Sequence, residues 1–290
     1  MLWVSDEWKD YEVLDTSDGE RLERWGKYIP GRPEPQVIWN TPKKRREWMK
    51  YDARYVRSNT GGGHWSEHKL PERWQIRYKD YLTFNVKPMN FKHTGVFPEQ
   101  AANWDFIREK VAGAAAKRPV RVLNLFAYSG GATLAAAAGG AEVYHVDASK
   151  GMVAWAKENA QASGLADRPI HWIVDDCGKF IQREIRRGRK YDGIIMDPPS
   201  YGRGPSGEIW KMETSFYPFL QETAKLLSDD PLFVIINSYT TGLAPSAVAY
   251  ASDVVFGSRY GGSTAAGELG LPVSESGLIL PYGATGRWTP

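Results

Sequence analysis

The sequence predicts an α/β fold: a mostly parallel sheet of seven strands with helices on both faces, preceded by a small β-rich region. Three observations carry this. From about residue 98 strand-like and helix-like stretches alternate; three successive strands end in carboxylates; and the first 95 or so residues differ in texture, with short strand-like pieces and turn signals. Strands alternating with helices imply parallel strands joined by crossover helices, and therefore a sheet buried on both sides.

Taken in order, "YEVLDTSDGERLERWG" reads as a hairpin turning at Asp18-Gly19, where positive φ is needed. "IPGRPEPQ" reads as a proline-rich connection, "SNTGGGHW" as a flexible loop, and "WQIRYKDYLTFNVKP" as one or two strands. Beyond it, "EQAANWDFIREKVAGAAAK" suits a helix, "VRVLNLFAY" a buried strand, and "GATLAAAAGG" a helix closed by glycines. "AEVYHVDAS" is a second strand and "KGMVAWAKENAQASG" a helix with Met152, Trp155 and Ala156 on one face. "IHWIVDDC", "YDGIIMDPP" and "PLFVIINSYT" are three more strands, separated by the helices "GKFIQREIRRGRK" and "FYPFLQETAKLLSDD". "GELGLPVSESGLILPYG" adds two strands around a turn, which gives the sheet an antiparallel edge. The expected division is residues 1–95 and residues 96–290.

Composition narrows the function classes. The chain has 290 residues, enough for one large domain or a medium and a small one, with 42% hydrophobic and 24% charged residues, as a globular protein has. No apolar run approaches the roughly 20 residues of a membrane helix, and "MLWVSDEWKDYEV" carries acids where a secretory signal needs basic charge, so no membrane role or export is expected. Cys177 is the one cysteine, which excludes an intrachain disulfide and a cysteine-rich metal site and makes a reducing cytoplasm the natural compartment. No metal site is expected. The net charge of +3 is unevenly spread: residues 1–40 hold 5 basic against 9 acidic side chains, residues 41–95 hold 13 against 5, and the rest is near neutral. The basic segment also holds Trp48, Trp65, Trp74, Tyr51, Tyr55, Tyr78, Tyr81, Phe84 and Phe91. Basic charge interleaved with aromatics suits a nucleic-acid surface; it equally suits a small β-domain with an aromatic core and a solvated basic exterior.

The acids at the strand ends point to a site. Asp147, Asp175-Asp176 and Asp197 should line one rim of the sheet, where ligands of such sheets bind. The first strand runs instead into "FAYSGG", residues 126–131, a turn whose small residues and following helix let a ligand approach the backbone. A glycine turn after the first strand and an acid ending the second, 17 positions beyond Gly130, is the arrangement that holds an adenine nucleoside by its ribose hydroxyls. The turn lacks the G-x-G-x-x-G spacing and no G-x-x-x-x-G-K-[ST] motif occurs, so a nucleoside without phosphates suits it better.

Together "VLNLFAYSGGAT", "VYHVDAS", "WIVDDCGKF" and "IIMDPPSYGRG", in this order and spacing, resemble the class I S-adenosylmethionine-dependent methyltransferases. More narrowly they are similar to the group containing the bacterial 23S ribosomal RNA large-subunit methyltransferases that act on cytosine C5 or guanine N7. "FKHTGVFPEQAANW" resembles the segment leading into the methyltransferase core of that group, and "VLDTSDGERLERWG" with "RPEPQVIW" is similar to the front of one subgroup. The resemblance implies a Rossmann-like sheet, S-adenosyl-L-methionine as cofactor, and RNA, ribosomal RNA first, as substrate. It implies that Phe126, Tyr128 and Gly130 surround the methionine moiety, that Asp147 with Ala148 holds the ribose, and that Asp176 and Cys177 meet the adenine. Asp197 closes the methionine side, and Phe97 and Gln100 cover the cofactor. Asp197, Pro198, Pro199, Ser200 and Tyr201 form the catalytic rim: prolines fix φ, lack amide donors and leave carbonyls for a base amino group.

Two departures from the family pattern bear on the acceptor. Ser200 stands where amino-methylating relatives have an aromatic, with Tyr201 one place later. Cytosine-C5 enzymes need a thiolate after the fifth strand, and here the chain reads "INSYTTG", with Tyr239 at or beside that place. A nitrogen acceptor is therefore expected rather than cytosine C5, with Arg203 a candidate phosphate contact. A protein or small-molecule acceptor, or cofactor binding without catalysis, are the alternatives the sequence leaves.

Overall fold

A computed structural model of the chain describes residues 1–58, 62–66, 69–203 and 209–290. Contacts group it into two units: Met1–Trp3, Ala102–Leu269 and Gly283–Pro290 in one, Val4–Ala101 and Gly270–Tyr282 in the other. The strands at the front of the chain are β1 (Leu2–Val4), β2 (Tyr11–Ser17), β3 (Glu20–Trp25), β4 (Pro30–Pro33), β5 (Ala53–Arg57), β6 (Gly63–Ser66), β7 (Trp74–Tyr78) and β8 (Leu82–Val86).

In the N-terminal unit β2 to β6 form one sheet in sequence order, and β7 with β8 a separate hairpin. The β2–β3 connection is the two residues Asp18 and Gly19, both at positive φ (53° and 74°), as a turn matching the strand twist requires. β4 lies where a proline-rich connection was expected. Its prolines stand at the two ends of the strand, where a missing N–H is tolerated, and Gly31 between them lies against Tyr51, whose ring a Cβ would meet at 2.6 Å. Trp48, Tyr55, Tyr78 and Phe84 are buried, and Trp65 packs edge-on against Tyr55 at 5.5 Å. Of the nine aromatics of the basic segment these four are interior, Tyr51, Trp65, Trp74 and Tyr81 are half-buried, and Phe91 is exposed. Several of the segment's cations are also paired, Arg54 and Lys43 with Glu20, and Arg45 with Glu275. Part of the expected "SNTGGGHW" loop lies outside the described residues; Gly63 onward is β6.

In the other unit β9 (Arg121–Leu125), α2 (Gly131–Ala138), β10 (Glu142–Asp147), α3 (Lys150–Ala162), β11 (Ile170–Val174), α4 (Cys177–Arg186) and β12 (Gly193–Met196) alternate as expected, after α1 (Ala101–Ala115). A short hairpin, β13 (Tyr201–Arg203) and β14 (Ile209–Lys211), comes next, then α5 (Met212–Ala224), β15 (Phe233–Ser238) and α6 (Pro245–Ser252), which runs through a π-turn, Asp253–Gly257. The last strands are β16 (Ser263–Pro272) and β17 (Ile279–Thr289). The sheet order is β1-β16-β17-β15-β12-β9-β10-β11. Among the described residues it has eight strands where seven were expected, because Leu2–Val4 adds an edge: three residues show no periodicity by which a strand could be read. β11, β10, β9, β12 and β15 run parallel, and β17 pairs antiparallel with β15. Leu123, Leu125, Val146, Ile194, Met196, Val234 and Ile236 fill the core from β9, β10, β12 and β15. The order reverses at β9, flanked by β10 and β12, so the crevice at the carboxyl ends of these strands is where a ligand should sit.

Candidate active site

The turn after β9 is held in an uncommon backbone conformation. Phe126 and Tyr128 both have positive φ (55° and 50°), although neither is glycine. Such conformations cost on the order of 1–3 kcal/mol and persist where surroundings fix them. Three bonds do so here: the Phe126 N–H donates to Cys177 Sγ (3.3 Å), the Ala127 N–H to the Val146 carbonyl (3.1 Å), and the Tyr128 N–H to Asp147 Oδ2 (2.9 Å). Gly130, at φ 91°, precedes α2, and a Cβ there would stand 3.0 Å from that of Ala156. Asn159 donates to the Ser129 carbonyl at 2.9 Å and ties the turn to α3.

Asp147 ends β10 and accepts from the turn and, through Oδ1, from the Ser149 N–H (2.8 Å). A carboxylate offers about four lone pairs, so two remain for a pair of ligand hydroxyls. Partial burial pushes its carboxyl above the usual value of 3.8, against the pull of the two backbone donors. After β11, Asp175 pairs with Arg183, while Asp176 caps α4 by accepting the Lys179 N–H at 2.9 Å. Cys177 is buried, and burial pushes its thiol far up, so it is a neutral apolar contact rather than a nucleophile.

After β12 the Asp197-Pro198-Pro199 segment is braced from two sides. The Trp210 indole N–H on β14 donates to the Pro199 carbonyl (2.6 Å), and the Thr240 hydroxyl beyond β15 donates to Ser200 Oγ (2.8 Å). Pro199's carbonyl is therefore committed to the hairpin rather than offered to a ligand. Ser200 is a strut in this arrangement, and Tyr201, 51% exposed on β13, is the aromatic beside it.

Phe126, Ala148, Asp176, Cys177 and Pro199 come together around one cleft of about 650 Å³. Trp210 and Phe219 form its aromatic floor with Phe126, with ring centroids 5.3 to 5.6 Å apart. Asp147, Tyr128 and Gly130 join it through the bonds of the turn rather than as cleft walls. Asp197 lies on the β12 end, whereas Phe97 and Gln100 belong to the N-terminal unit, Gln100 buried there and Phe97 packed on His93 at 5.1 Å. Arg203's side chain and residues 204–208 lie outside the described residues. The sequence missed the cleft residues of α4, namely Lys179, Gln182, Arg183 and Arg186, and also Trp210 and Phe219. An aromatic flanked by strand residues soon after the Asp-Pro-Pro segment was the available signal for Trp210.

Apolar walls, a carboxylate with spare lone pairs and a constricted glycine turn fit a nucleoside-bearing methyl donor. Comparison with known proteins agrees. Residues 37–245 match the S-adenosylmethionine-dependent methyltransferase family. A crystal structure of a methyltransferase of this kind from Agrobacterium tumefaciens is 36% identical and superposes over all of this chain and 93% of that one, with a TM-score of 0.93. A methyltransferase solved with S-adenosylhomocysteine shares the fold at 19% identity, over 98% of this chain and 76% of that one (TM-score 0.74). Among curated proteins, the ribosomal RNA large subunit methyltransferase K of Neisseria meningitidis serogroup B is 30% identical over 198 residues, 67% of this chain and 51% of the relative. The K/L enzyme of Shewanella frigidimarina is 31% identical over 58% of this chain and 22% of its own length. The chain thus spans about half of the first relative and about a fifth of the second. By the match over residues 37–245, the chain belongs to the S-adenosylmethionine-dependent methyltransferases.

Proposed function

We propose that this methyltransferase acts on an RNA base, in large-subunit ribosomal RNA, and that the acceptor is a nitrogen rather than cytosine C5. The observation that carries the choice of atom is the placement of thiols. Cys177, the one cysteine, is buried, its thiol is held neutral, and it is bonded to the turn after β9. Beyond β15 stand Tyr239 and Thr240 instead. Carbon C5 of cytosine is a poor nucleophile without a covalent adduct at C6, whereas a ring or exocyclic nitrogen needs none. The names of the Neisseria and Shewanella relatives support ribosomal RNA as substrate.

The cofactor supplies an electrophilic methyl on a sulfonium. The chain's own work is to hold a nitrogen about 3 Å from it, in line, with water excluded. Asp147 with Ala148 holds the ribose hydroxyls, Asp176 accepts from the adenine amino group through the oxygen not used in capping α4, and Cys177 contacts the ring. Phe126, Tyr128 and Gly130 shape the turn beside the methionine part. At the β12 end Asp197 and the Pro198 carbonyl accept hydrogen bonds from the base, Pro199 and Ser200 keep the rim rigid through Trp210 and Thr240, and Tyr201 offers a ring to the base.

The test is calorimetric titration with S-adenosylmethionine, followed by transfer of labelled methyl to total RNA and to total protein. Saturable binding with label in a nitrogen-methylated nucleoside is expected. Label in protein alone, or binding without transfer to either fraction, overturns the RNA assignment; label at cytosine C5 overturns the choice of acceptor.

A further inference from the structure

The aromatics of residues 41–95 are buried or half-buried apart from Phe91, so that segment presents few exposed rings to a nucleic-acid strand. One wall of the cofactor cleft stands out by its charge. α4 turns Cys177, Phe180, Ile181 and Glu184 inward. Its other face sets Lys179, Gln182, Arg183 and Arg186 along the cleft, at spacings of three and four residues that put them on one stripe. Among the described residues lining the cleft three are cationic and one, Asp176, is acidic. Just beyond the stripe, Arg187 and Arg189 lie on the buried carboxylate of Glu184, and Lys190 donates to the Lys225 carbonyl at 2.7 Å.

An adenosine bound between Asp176 and Cys177 is uncharged, and the cofactor's one carboxylate lies, on the proposed reading, beside the turn of Tyr128 and Gly130, so the adenine end gives this stripe no anion to meet. The cleft offers flat rings next to it, Trp210 half-buried and directly bonded to Pro199 of the proposed catalytic rim. Cations beside exposed ring faces are the combination that tracks a single strand, phosphates on the cations and bases on the rings. An acidic peptide would satisfy the cations but leave the rings without a matching partner.

We propose that the α4 stripe, Lys179 and Arg186 with Arg183 anchored on Asp175 between them, binds backbone phosphates of the RNA strand that carries the acceptor base. This rests on the reading of the protein as an RNA methyltransferase and adds where the strand lies. The test uses the full chain and two probes: a labelled single-stranded RNA of mixed sequence, about 20 nucleotides long, and S-adenosylhomocysteine. Arg183 is left in place because it pairs with Asp175. The double variant Lys179→Gln/Arg186→Gln should bind the RNA about tenfold or more weakly at low salt. Its plot of log affinity against log salt should be shallower by about 1.4, the loss of two single-strand phosphate contacts at about 0.7 each. Affinity for S-adenosylhomocysteine should stay within about threefold, and the charge-keeping variant Lys179→Arg/Arg186→Lys should restore the slope, which separates lost charge from a damaged fold. An unchanged slope in the double variant, with wild-type protein methylating RNA, overturns the stripe alone. Parallel loss of S-adenosylhomocysteine affinity overturns it too, by assigning the cations to the cofactor. Wild-type protein that prefers an acidic peptide and labels no RNA overturns the underlying reading, and with it this one.

Discussion

At the scale of single residues, Asp147 concentrates the most consequence. Its two oxygens already hold the turn through Tyr128 and Ser149, so the side chain both builds the site and is proposed to grip the ribose. Asp147→Ala should weaken S-adenosylmethionine binding by about 30- to 150-fold, from two hydrogen bonds at roughly 1–1.5 kcal/mol each. Near-normal calorimetric affinity would dispose of the ribose assignment. Because burial raises this carboxyl above 3.8, it takes up its proton at a higher pH than a free aspartate. The acid limb of cofactor binding should therefore have its midpoint above pH 3.8, and an affinity flat down to that pH would contradict the assignment. Gly130 is the second sensitive position: at φ 91°, with Ala156 3.0 Å from any added Cβ, Gly130→Ala should cost about 1–3 kcal/mol in denaturant unfolding.

Among elements, the β13–β14 hairpin is the one whose role is most exposed to experiment. Trp210 links it to the Pro199 carbonyl and to Phe126 and Phe219, so Trp210→Ala removes a hydrogen bond and two ring contacts together. kcat/KM should fall about tenfold or more, and Trp210→Phe, which keeps a ring and loses the N–H, should fall in between; equal activity of all three proteins would mean the hairpin does not position the rim. The strands and helices around it were legible in sequence because long apolar stretches ending in acids carry their own signal, as "AEVYHVD" and "YDGIIMDPP" do. The hairpin was not, since three-residue strands such as Ile209–Lys211 have no periodicity and owe their pairing to tertiary contacts. β4 was hidden by its prolines, and β1 by its brevity. The α4 stripe was unreadable for another reason: Lys179 and Arg186 look like any solvated helix face until the order of β9, β10 and β11 puts a cleft beside them.

For the whole molecule, acid sensitivity is built into both units. His145 is buried, and His93 is half-buried beside the cations Arg32 and Lys92, which holds each imidazole down at about 3; Glu23 is lowered to about 2 by Arg21 and Arg32 against a large burial cost. The unfolded histidines take up protons near pH 6.5 while the folded ones refuse them, so stability is complete above that pH and declines as pH falls towards 3. Glu23 adds a loss beginning near 4.5 and running towards 2. Thermal unfolding should therefore show Tm falling steadily from pH 7 to pH 4 with net proton uptake in calorimetry; a level Tm over that range would contradict the buried neutral histidines.

The edge strand β1 has a consequence in time rather than space. The Glu268 N–H donates to the Met1 carbonyl at 3.0 Å, so residues of β1 pair with a strand that is synthesised long after them. At roughly 5–20 residues per second, the opening segment waits on the order of tens of seconds for its partner, and the N-terminal unit likewise waits for Gly270–Tyr282. Nascent chains stalled short of Ser263 should stay open to protease at both units, and chains that have exposed β17 outside the ribosome should be protected.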